Sequence, residues 1–135
     1  MERLEHIGIA VKDLKASNAL FSALLGQEPY KTEEVASEGV KTSFFIVNGV
    51  KFELLEATNP DSPIAKFIAN RGEGIHHLAF EVADIEAAIA SYQEKGFNLI
   101  HQVPKDGADN KRIAFMHPKS TNGVLVELCQ DKGDR

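Results

Sequence analysis

The sequence is poor in cysteine, has no tryptophan and contains no long apolar run. Because Cys129 is the only cysteine, no intrachain disulfide can form, which fits a reducing compartment. No apolar stretch reaches the length of a membrane helix or of a signal-peptide core. We therefore expect a cytoplasmic protein that does not bind a membrane.

The chain also has no excess of basic residues. It contains 15 Lys and Arg and 20 Asp and Glu, which gives a formal net charge of -5. Proteins that bind nucleic acid present a basic face, so the charge argues against that function class. The chain has 135 residues, of which 43% are hydrophobic, enough for one domain with its own core. We predict a single domain over residues 1–135.

The most informative feature is an internal repeat. The segment that begins at His6 matches the segment that begins at His77, with a shift of 71 positions. A later segment, Asn48-Gly-Val-Lys-Phe-Glu-Leu, matches Asn122-Gly-Val-Leu-Val-Glu-Leu with a shift of 74. Each half therefore starts with a strand that carries a His and ends with a strand that carries a Glu.

Periodicity predicts two βαβββ modules, at about 3–57 and 74–130, with a linker helix at about 62–70 between them. The predicted fold class is α+β, with the two modules in tandem forming a half-open mixed β-barrel, helices outside and a cleft inside. Asn48-Gly49 predicts a two-residue hairpin. The predicted strands are 4–11, 28–35, 41–47, 50–56, 75–82, 98–103, 112–117 and 124–129; the helices are 14–25, 62–69 and 85–95, and 130–135 is a frayed tail.

Four polar residues share one face of this pattern: His6, Glu53, His77 and Glu127. Alternation places each of them on the side of its strand that faces away from the module helix. If a pseudo-twofold axis relates the modules, the four side chains converge. Two imidazoles and two carboxylates suit a divalent cation such as Co, Mn, Ni, Zn or Fe(II), in an octahedral site with two positions open to water or substrate.

The other histidines receive different interpretations. His76 points to the opposite, helix-covered face, and we expect it to be a core residue or a residue that supports the metal ligands. His117 lies near a strand end before Pro118 and is a candidate substrate contact. His101 is assigned to the surface.

The two modules, each with one His and one Glu, resemble the vicinal-oxygen-chelate (glyoxalase/bleomycin resistance/dioxygenase) superfamily. Within it, three stretches are similar to the methylmalonyl-CoA epimerases, and the resemblance covers nearly the whole chain. The stretches are residues 52–56 with 61–67, then Gly74-Ile-His-His-Leu-Ala-Phe-Glu-Val, and then residues 104–128 with Phe115-Met-His-Pro-Lys-Ser.

The resemblance implies an enzyme that interconverts (R)- and (S)-methylmalonyl-CoA through a metal-stabilised enolate. His6, Glu53, His77 and Glu127 match the family's metal ligands, although some members have Gln at the position of Glu53. Glu127 is then the candidate for one acid–base role and Glu53 for the other, with a metal-bound water relay as the alternative. At the position that matches Thr42, some members carry a further carboxylate, which this chain lacks.

A CoA thioester also needs contacts for its phosphates. The candidates are the polar residues in the later part of the second module: Lys105, Arg112, His117, Lys119 and Ser120. By resemblance we expect a homodimer, formed through exposed faces of the first strands.

Two other functions stay open at this point. A glyoxalase I-type lactoylglutathione lyase uses the same kind of ligand set, although the Phe115–Ser120 segment favours the epimerase. A metal-free small-molecule binding or resistance protein of the same fold would not need four ligands. An extradiol dioxygenase is disfavoured, because Glu53 would crowd a site of two His and one carboxylate.

Overall fold

The structure is a computed structural model that describes residues 1–133. The chain forms two compact units: a first unit of His6–His76, and a second unit of Met1–Glu5 with the described residues from His77 onward. The α+β class and the two predicted βαβββ modules are confirmed. Among the described residues, no helix combines the length and apolar content needed to cross a membrane.

The elements of the first unit are β1 (Arg3–Ala10), α1 (Leu14–Leu25), β2 (Lys31–Val35), β3 (Val40–Val47), β4 (Val50–Ala57) and α2 (Pro63–Arg71). Only residues 6–10 of β1 belong to this unit. The strands form a mixed sheet in the order β2-β3-β4-β1, in which β1 runs parallel to β4 and the other neighbours are antiparallel.

The elements of the second unit are β5 (Gly74–Glu81), α3 (Ile85–Glu94), β6 (Lys105–Gly107), β7 (Lys111–Met116) and β8 (Val126–Asp131). Only residues 77–81 of β5 belong to this unit. It repeats the arrangement of the first unit with the sheet order β5-β8-β7-β6, and β5 runs parallel to β8. The strands β8, β7 and β6 are antiparallel.

Both module helices begin with the same two side-chain caps. The carboxylate of Asp13 accepts the N–H of Ala16 at 3.1 Å, and Glu56 at the end of β4 accepts the N–H of Leu14 at 2.7 Å. These bonds satisfy donors that a helix start leaves without a partner. The second module matches both bonds, with Asp84 to Ala87 at 3.1 Å and Gln130 to Ile85 at 2.9 Å.

Each module helix covers one face of its own sheet. Under α1 a cluster joins Val11, Leu14, Phe45 and Leu54, as the alternation in β1 predicts. Under α3 the cluster includes Ile85, Ile89, Met116 and Leu128. Fully burying one such side chain stabilises the fold by about 1.5–3 kcal/mol, so these clusters fix which face each helix covers.

The linker helix α2 corrects one expectation about the other face of the first sheet. That face was predicted to carry no helix, but Ile64 of α2 packs there against Ala10, Val40 and Leu55. The apolar residues of α2 recur at helical spacing, so the helix buries them best against a sheet face. The predicted N-cap is confirmed, since Ser62 Oγ accepts the N–H of Ile64 at 3.1 Å.

The connections between the last two strands differ between modules. Asn48 and Gly49 both have positive φ angles, 50° and 82°, which confirms the predicted hairpin turn. Asn122 and Gly123 adopt nearly the same angles, 57° and 86°, but they follow a short 3-10 turn over Pro118–Thr121. The change of shift between the two repeat matches lies in this connection.

The predicted strand over 98–103 is wrong. Only Leu99 forms a bridge, with Met116, and the strand paired to β7 is instead β6, which begins at Lys105. Pro104 precedes it and has no N–H to donate to a ladder, which weakens strand pairing at this point. The alternation of apolar residues over 98–103 cannot reveal this break.

The predicted frayed tail is also wrong at its start. Gln130 and Asp131 belong to β8, and the N–H of Lys132 donates to the carbonyl of Asn110 at 3.1 Å. The last two positions of the predicted tail, 134–135, lie outside the described residues.

The caps give a direct test of module stability. We expect Asp84→Ala to lower the free energy of unfolding by about 1 kcal/mol, because the N–H of Ala87 loses its acceptor. Asp84→Asn keeps an oxygen acceptor and should lose only a few tenths of a kcal/mol. Urea denaturation at neutral pH measures both, and equal losses in the two variants would contradict the capping role.

Candidate metal centre

In the first unit, His6 and Glu53 form a buried pair. Glu53 on β4 lies opposite Gly8 on β1 in the parallel register, and His6 lies two residues before Gly8 on the same face. His6 Nδ1 and Glu53 Oε2 are 3.2 Å apart, and each side chain is only 5% exposed. Because Gly8 has no side chain, the strand leaves room for both polar groups.

In the second unit, His77 and Glu127 form the equivalent pair. Glu127 on β8 lies opposite Ala79 on β5, two residues after His77. His77 Nε2 and Glu127 Oε1 are 3.2 Å apart, and each side chain is 6% exposed. The predicted match between the two modules therefore extends to the contacts of these side chains, although different ring nitrogens are used.

The geometry of each pair fits adjacent ligands of one cation. Donors that bind a cation at about 2.1 Å and at right angles stand about 3 Å apart, close to the observed 3.2 Å. Burying a carboxylate is costly unless a partner compensates its charge. The nitrogen and oxygen donors suit divalent cations of intermediate softness.

Two aromatic residues occupy equivalent places next to the pairs. Phe44 lies opposite Glu53 in the β3–β4 register, and Phe115 lies opposite Glu127 in the β7–β8 register. The Phe115 ring stands perpendicular to the His77 ring, with 5.5 Å between centroids. Sequence reasoning assigned no site role to either residue, although the same repeat shift of 71 relates them.

The prediction that His101 lies at the surface is wrong. Its side chain is half-buried, and its Nδ1 accepts the backbone N–H of Phe115 at 3.1 Å. The wrong strand prediction over 98–103 hid this contact, because a regular strand would leave no gap for a side chain beside β7.

His76 is a packed residue, as predicted. Its ring meets Phe67 of α2 edge-on, with 5.0 Å between centroids. Burial lowers the pKa of His76 to about 4, because the charged imidazolium loses hydration. The imidazole is therefore neutral at physiological pH.

The candidate CoA-binding residues do not all lie together. Arg112 reaches Glu86 on α3, with 3.3 Å between Nη2 and Oε2, so its guanidinium faces the helix side of the sheet. Lys105 lies opposite Ile113, on the sheet face that also carries Phe115. The phosphate contact assigned to each stays a prediction.

The remaining three candidates lie in one short segment, where two have structural roles. His117 Nδ1 accepts the N–H of Lys119 at 3.1 Å and caps the 3-10 turn. Ser120 Oγ accepts the N–H of Asn98 at 2.8 Å. Lys119 is exposed within the turn.

Further buried polar groups outside the pairs were missed or left open by the sequence, among them Lys111, Glu5 and Thr42. Lys111 is 4% exposed and its Nζ lies 3.5 Å from Glu5 Oε2, which is fully buried. Thr42 is fully buried, and its hydroxyl has no hydrogen-bond partner within residues 1–133. Lys111 lies on the same face of its strand as Ile113 and Phe115. This period-two spacing was the signal in the sequence that Lys111 faces inward.

Cys129 is a buried thiol rather than a reactive one. Burial first, and then the Glu127 carboxylate, raise the pKa of Cys129 far above its ordinary value. Its Sγ lies 3.6 Å from the carbonyl oxygen of Phe80, as a weak donor would. A thiol kept protonated in this way is a weak nucleophile near neutral pH.

Comparison with known proteins finds similar sequences over most of the chain. Residues 5–115 match the model of the glyoxalase/bleomycin resistance protein/dioxygenase superfamily. The ethylmalonyl-CoA/methylmalonyl-CoA epimerase of Cereibacter sphaeroides is 42% identical over 95% of this chain and 97% of its own. The human mitochondrial methylmalonyl-CoA epimerase is 38% identical over 95% of this chain and 73% of its own.

A solved structure has the same fold as this chain. A methylmalonyl-CoA epimerase in complex with methylmalonyl-CoA and NH4+ superposes with a TM-score of 0.94 and 37% identity. The match covers 98% of this chain and 96% of that one.

The depressed pKa of His76 predicts an acid-dependent loss of stability. Its folded pKa of about 4 lies below the ordinary 6.5, so the unfolded chain binds the proton first as pH falls. Protonation of His76 therefore leaves the free energy of unfolding unaffected above pH 6.5 and lowers it as the pH falls from 6.5 to 4. At about 1.4 kcal/mol per pKa unit, the loss is at most about 3 kcal/mol.

His76→Phe tests this expectation, because phenylalanine keeps a ring against Phe67 and cannot take up a proton. Urea denaturation of both proteins between pH 7 and 4 should show the wild type losing stability relative to the variant. Parallel curves over this range would contradict the prediction.

Proposed function

The chain belongs to the glyoxalase/bleomycin resistance protein/dioxygenase superfamily and, within it, to the methylmalonyl-CoA epimerases, and on this basis we propose that it is a metal-dependent enzyme interconverting (R)- and (S)-methylmalonyl-CoA. The observation that carries the proposal is the recurrence of one buried His–Glu contact of 3.2 Å in each module. A protein that only binds small molecules would have no need for these ligand pairs.

In this proposal one divalent cation is bound by four side chains: His6, Glu53, His77 and Glu127. The donor types, their burial and the spacing within each pair support it. Co, Mn, Ni and Zn all accept mixed nitrogen and oxygen ligands, and the donor set does not select one of them. A catalytic cation held by these four side chains would need open positions for the substrate.

The chemistry concerns the proton on C2 of the substrate, between a thioester and a carboxylate. Removing it leaves negative charge that moves onto the thioester oxygen, and the cation would supply Lewis-acid stabilisation of that charge. Glu127 removes the proton from one face of C2. Glu53 returns a proton to the opposite face, and the two residues exchange roles in the reverse direction.

Burial of both carboxylates supports this role. Glu53 and Glu127 are each 4% exposed, so little water competes for the proton or screens charge nearby. General acid–base catalysis by a positioned side chain contributes about 10²–10⁴-fold to the rate. No redox cofactor is needed, because the reaction moves one proton and leaves the oxidation state of carbon unchanged.

For the CoA portion, Lys105, His117, Lys119 and Ser120 remain the candidate contacts. The carboxylate of Glu86 already neutralises Arg112, which makes it the weakest candidate of the original set. A cationic group near the phosphates would raise affinity without touching the reacting carbon. The homodimer and the cytoplasmic location belong to the same proposal.

The test is hydrogen exchange at C2 of methylmalonyl-CoA in deuterated water. Protein stripped with a chelator should be inactive, and protein reloaded with Co or Mn should incorporate deuterium. We expect Glu127→Gln to slow exchange by about 10²–10⁴-fold. Glu34→Gln, the same change at an exposed position of β2, should leave the rate unchanged.

Absence of exchange with every metal, in protein that still binds one, would contradict the epimerase proposal. A glutathione hemithioacetal would then be the substrate to assay, since glyoxalase I chemistry uses a similar set of ligands. Exchange that persists at the full rate after chelation would contradict the metal requirement alone.

A further inference from the structure

At a break in the second sheet, the backbone N–H of Phe115 is hydrogen-bonded to a side chain, where a neighbouring strand would ordinarily provide the acceptor. On one side of the break, the N–H of Ile100 donates to the carbonyl of Phe115 at 2.7 Å. On the other side, the ladder resumes where Lys105 pairs with Ile113. Between them the N–H of Phe115 donates to His101 Nδ1 at 3.1 Å, so an imidazole replaces the missing backbone acceptor.

The side chain held in this way lies against one of the proposed ligands. The rings of Phe115 and His77 are perpendicular, at 90°, with centroids 5.5 Å apart. The His101 ring also contacts Phe115, at 5.8 Å. Phe115 lies opposite Glu127 in the β7–β8 register, so the aromatic ring borders both members of the His77–Glu127 pair.

We infer that Phe115 and His101 are positioning residues that fix the orientation of the His77 imidazole for metal binding, an inference that rests on the metal site of the proposed function. The second torsion of a histidine side chain has broad, nearly two-fold preferences, so the groups around the His77 ring decide its orientation. A perpendicular ring at 5.5 Å favours one orientation. Groups that orient a ligand in advance raise metal affinity, because less freedom is lost on binding.

The equivalent residue of the first module has different ring contacts. The Phe44 ring packs against Tyr30 at 6.0 Å, and the Lys31 ammonium lies 5.3 Å from its centre. Phe44 therefore has a tyrosine and a lysine as ring neighbours, where Phe115 has two histidines. The bond from His101 is likewise specific to the broken strand of the second module.

A titration with Co²⁺ in the absence of substrate tests the inference, followed by the visible absorption of the bound ion. Phe115→Leu should weaken Co²⁺ binding by about tenfold or more and alter the spectrum, because the orientation of His77 is no longer restricted. Phe80→Leu is the matched control: Phe80 packs against the α3 cluster, on the face of β5 opposite Ala79. It should bind Co²⁺ as the wild type does.

His101 provides a second pair of variants that leaves the Phe115 ring in place. His101→Leu removes the acceptor for the N–H of Phe115 and should weaken Co²⁺ binding by several-fold. His101→Asn keeps an acceptor near the position of Nδ1 and should restore most of the affinity. If Phe115→Leu does not fold, this pair decides the question.

Wild-type affinity in both Phe115→Leu and His101→Leu, with an unchanged spectrum, would overturn the inference, as would a wild type that binds no Co²⁺. Failure of the epimerase proposal has a separate signature. A protein that binds Co²⁺ but exchanges no C2 proton would contradict the substrate assignment, while the titration would still decide the role of Phe115 and His101.

Discussion

The register of two parallel strand pairs is the constraint on which both His–Glu contacts depend. Gly8 lies opposite Glu53, and Ala79 lies opposite Glu127. A slip of one residue in either pair would turn the glutamate toward the module helix and separate it from its histidine. The small residues at these two positions are part of the constraint, since a larger side chain would occupy the space that the polar groups share. The helix clusters on the opposite faces hold the register through hydrophobic burial.

The two modules keep their polar pairs while their surroundings have diverged. Beyond the His6–Glu53 pair, the same face of the first sheet is closed by α2, through Ile64 and its neighbours. In the second unit, Lys111 lies on the corresponding sheet face and forms a buried ion pair with Glu5. Methylmalonyl-CoA has a small acyl end and a long CoA end, so a site for it needs walls that differ from one end to the other. Duplication of one module followed by local change would produce such walls.

Local sequence signals determined much of the fold. The bounds of α1 were predicted to the residue, because Asp13 and Gly26 mark its two ends and apolar spacing fills the interval. The Asn48-Gly49 turn and the facing of the four proposed ligands followed from equally local rules. The position of α2 and the break before β6 did not, because both depend on what a distant segment offers as a packing surface or a hydrogen-bond partner. His101 was misassigned for the same reason, since its partner is a backbone group on another strand.

The caps at the start of the module helices have a consequence for the order of folding. Asp13 can cap α1 as soon as that turn of helix forms, because its partner is three residues away. The bond from Leu14 to Glu56 spans 42 residues and forms only after β4 has docked beside β1. The bond from Glu56 therefore depends on the sheet as well as on the helix, and it couples the two elements within the module. Native-state hydrogen exchange at Leu14 would consequently report on the opening of the whole module rather than on fraying of the helix end.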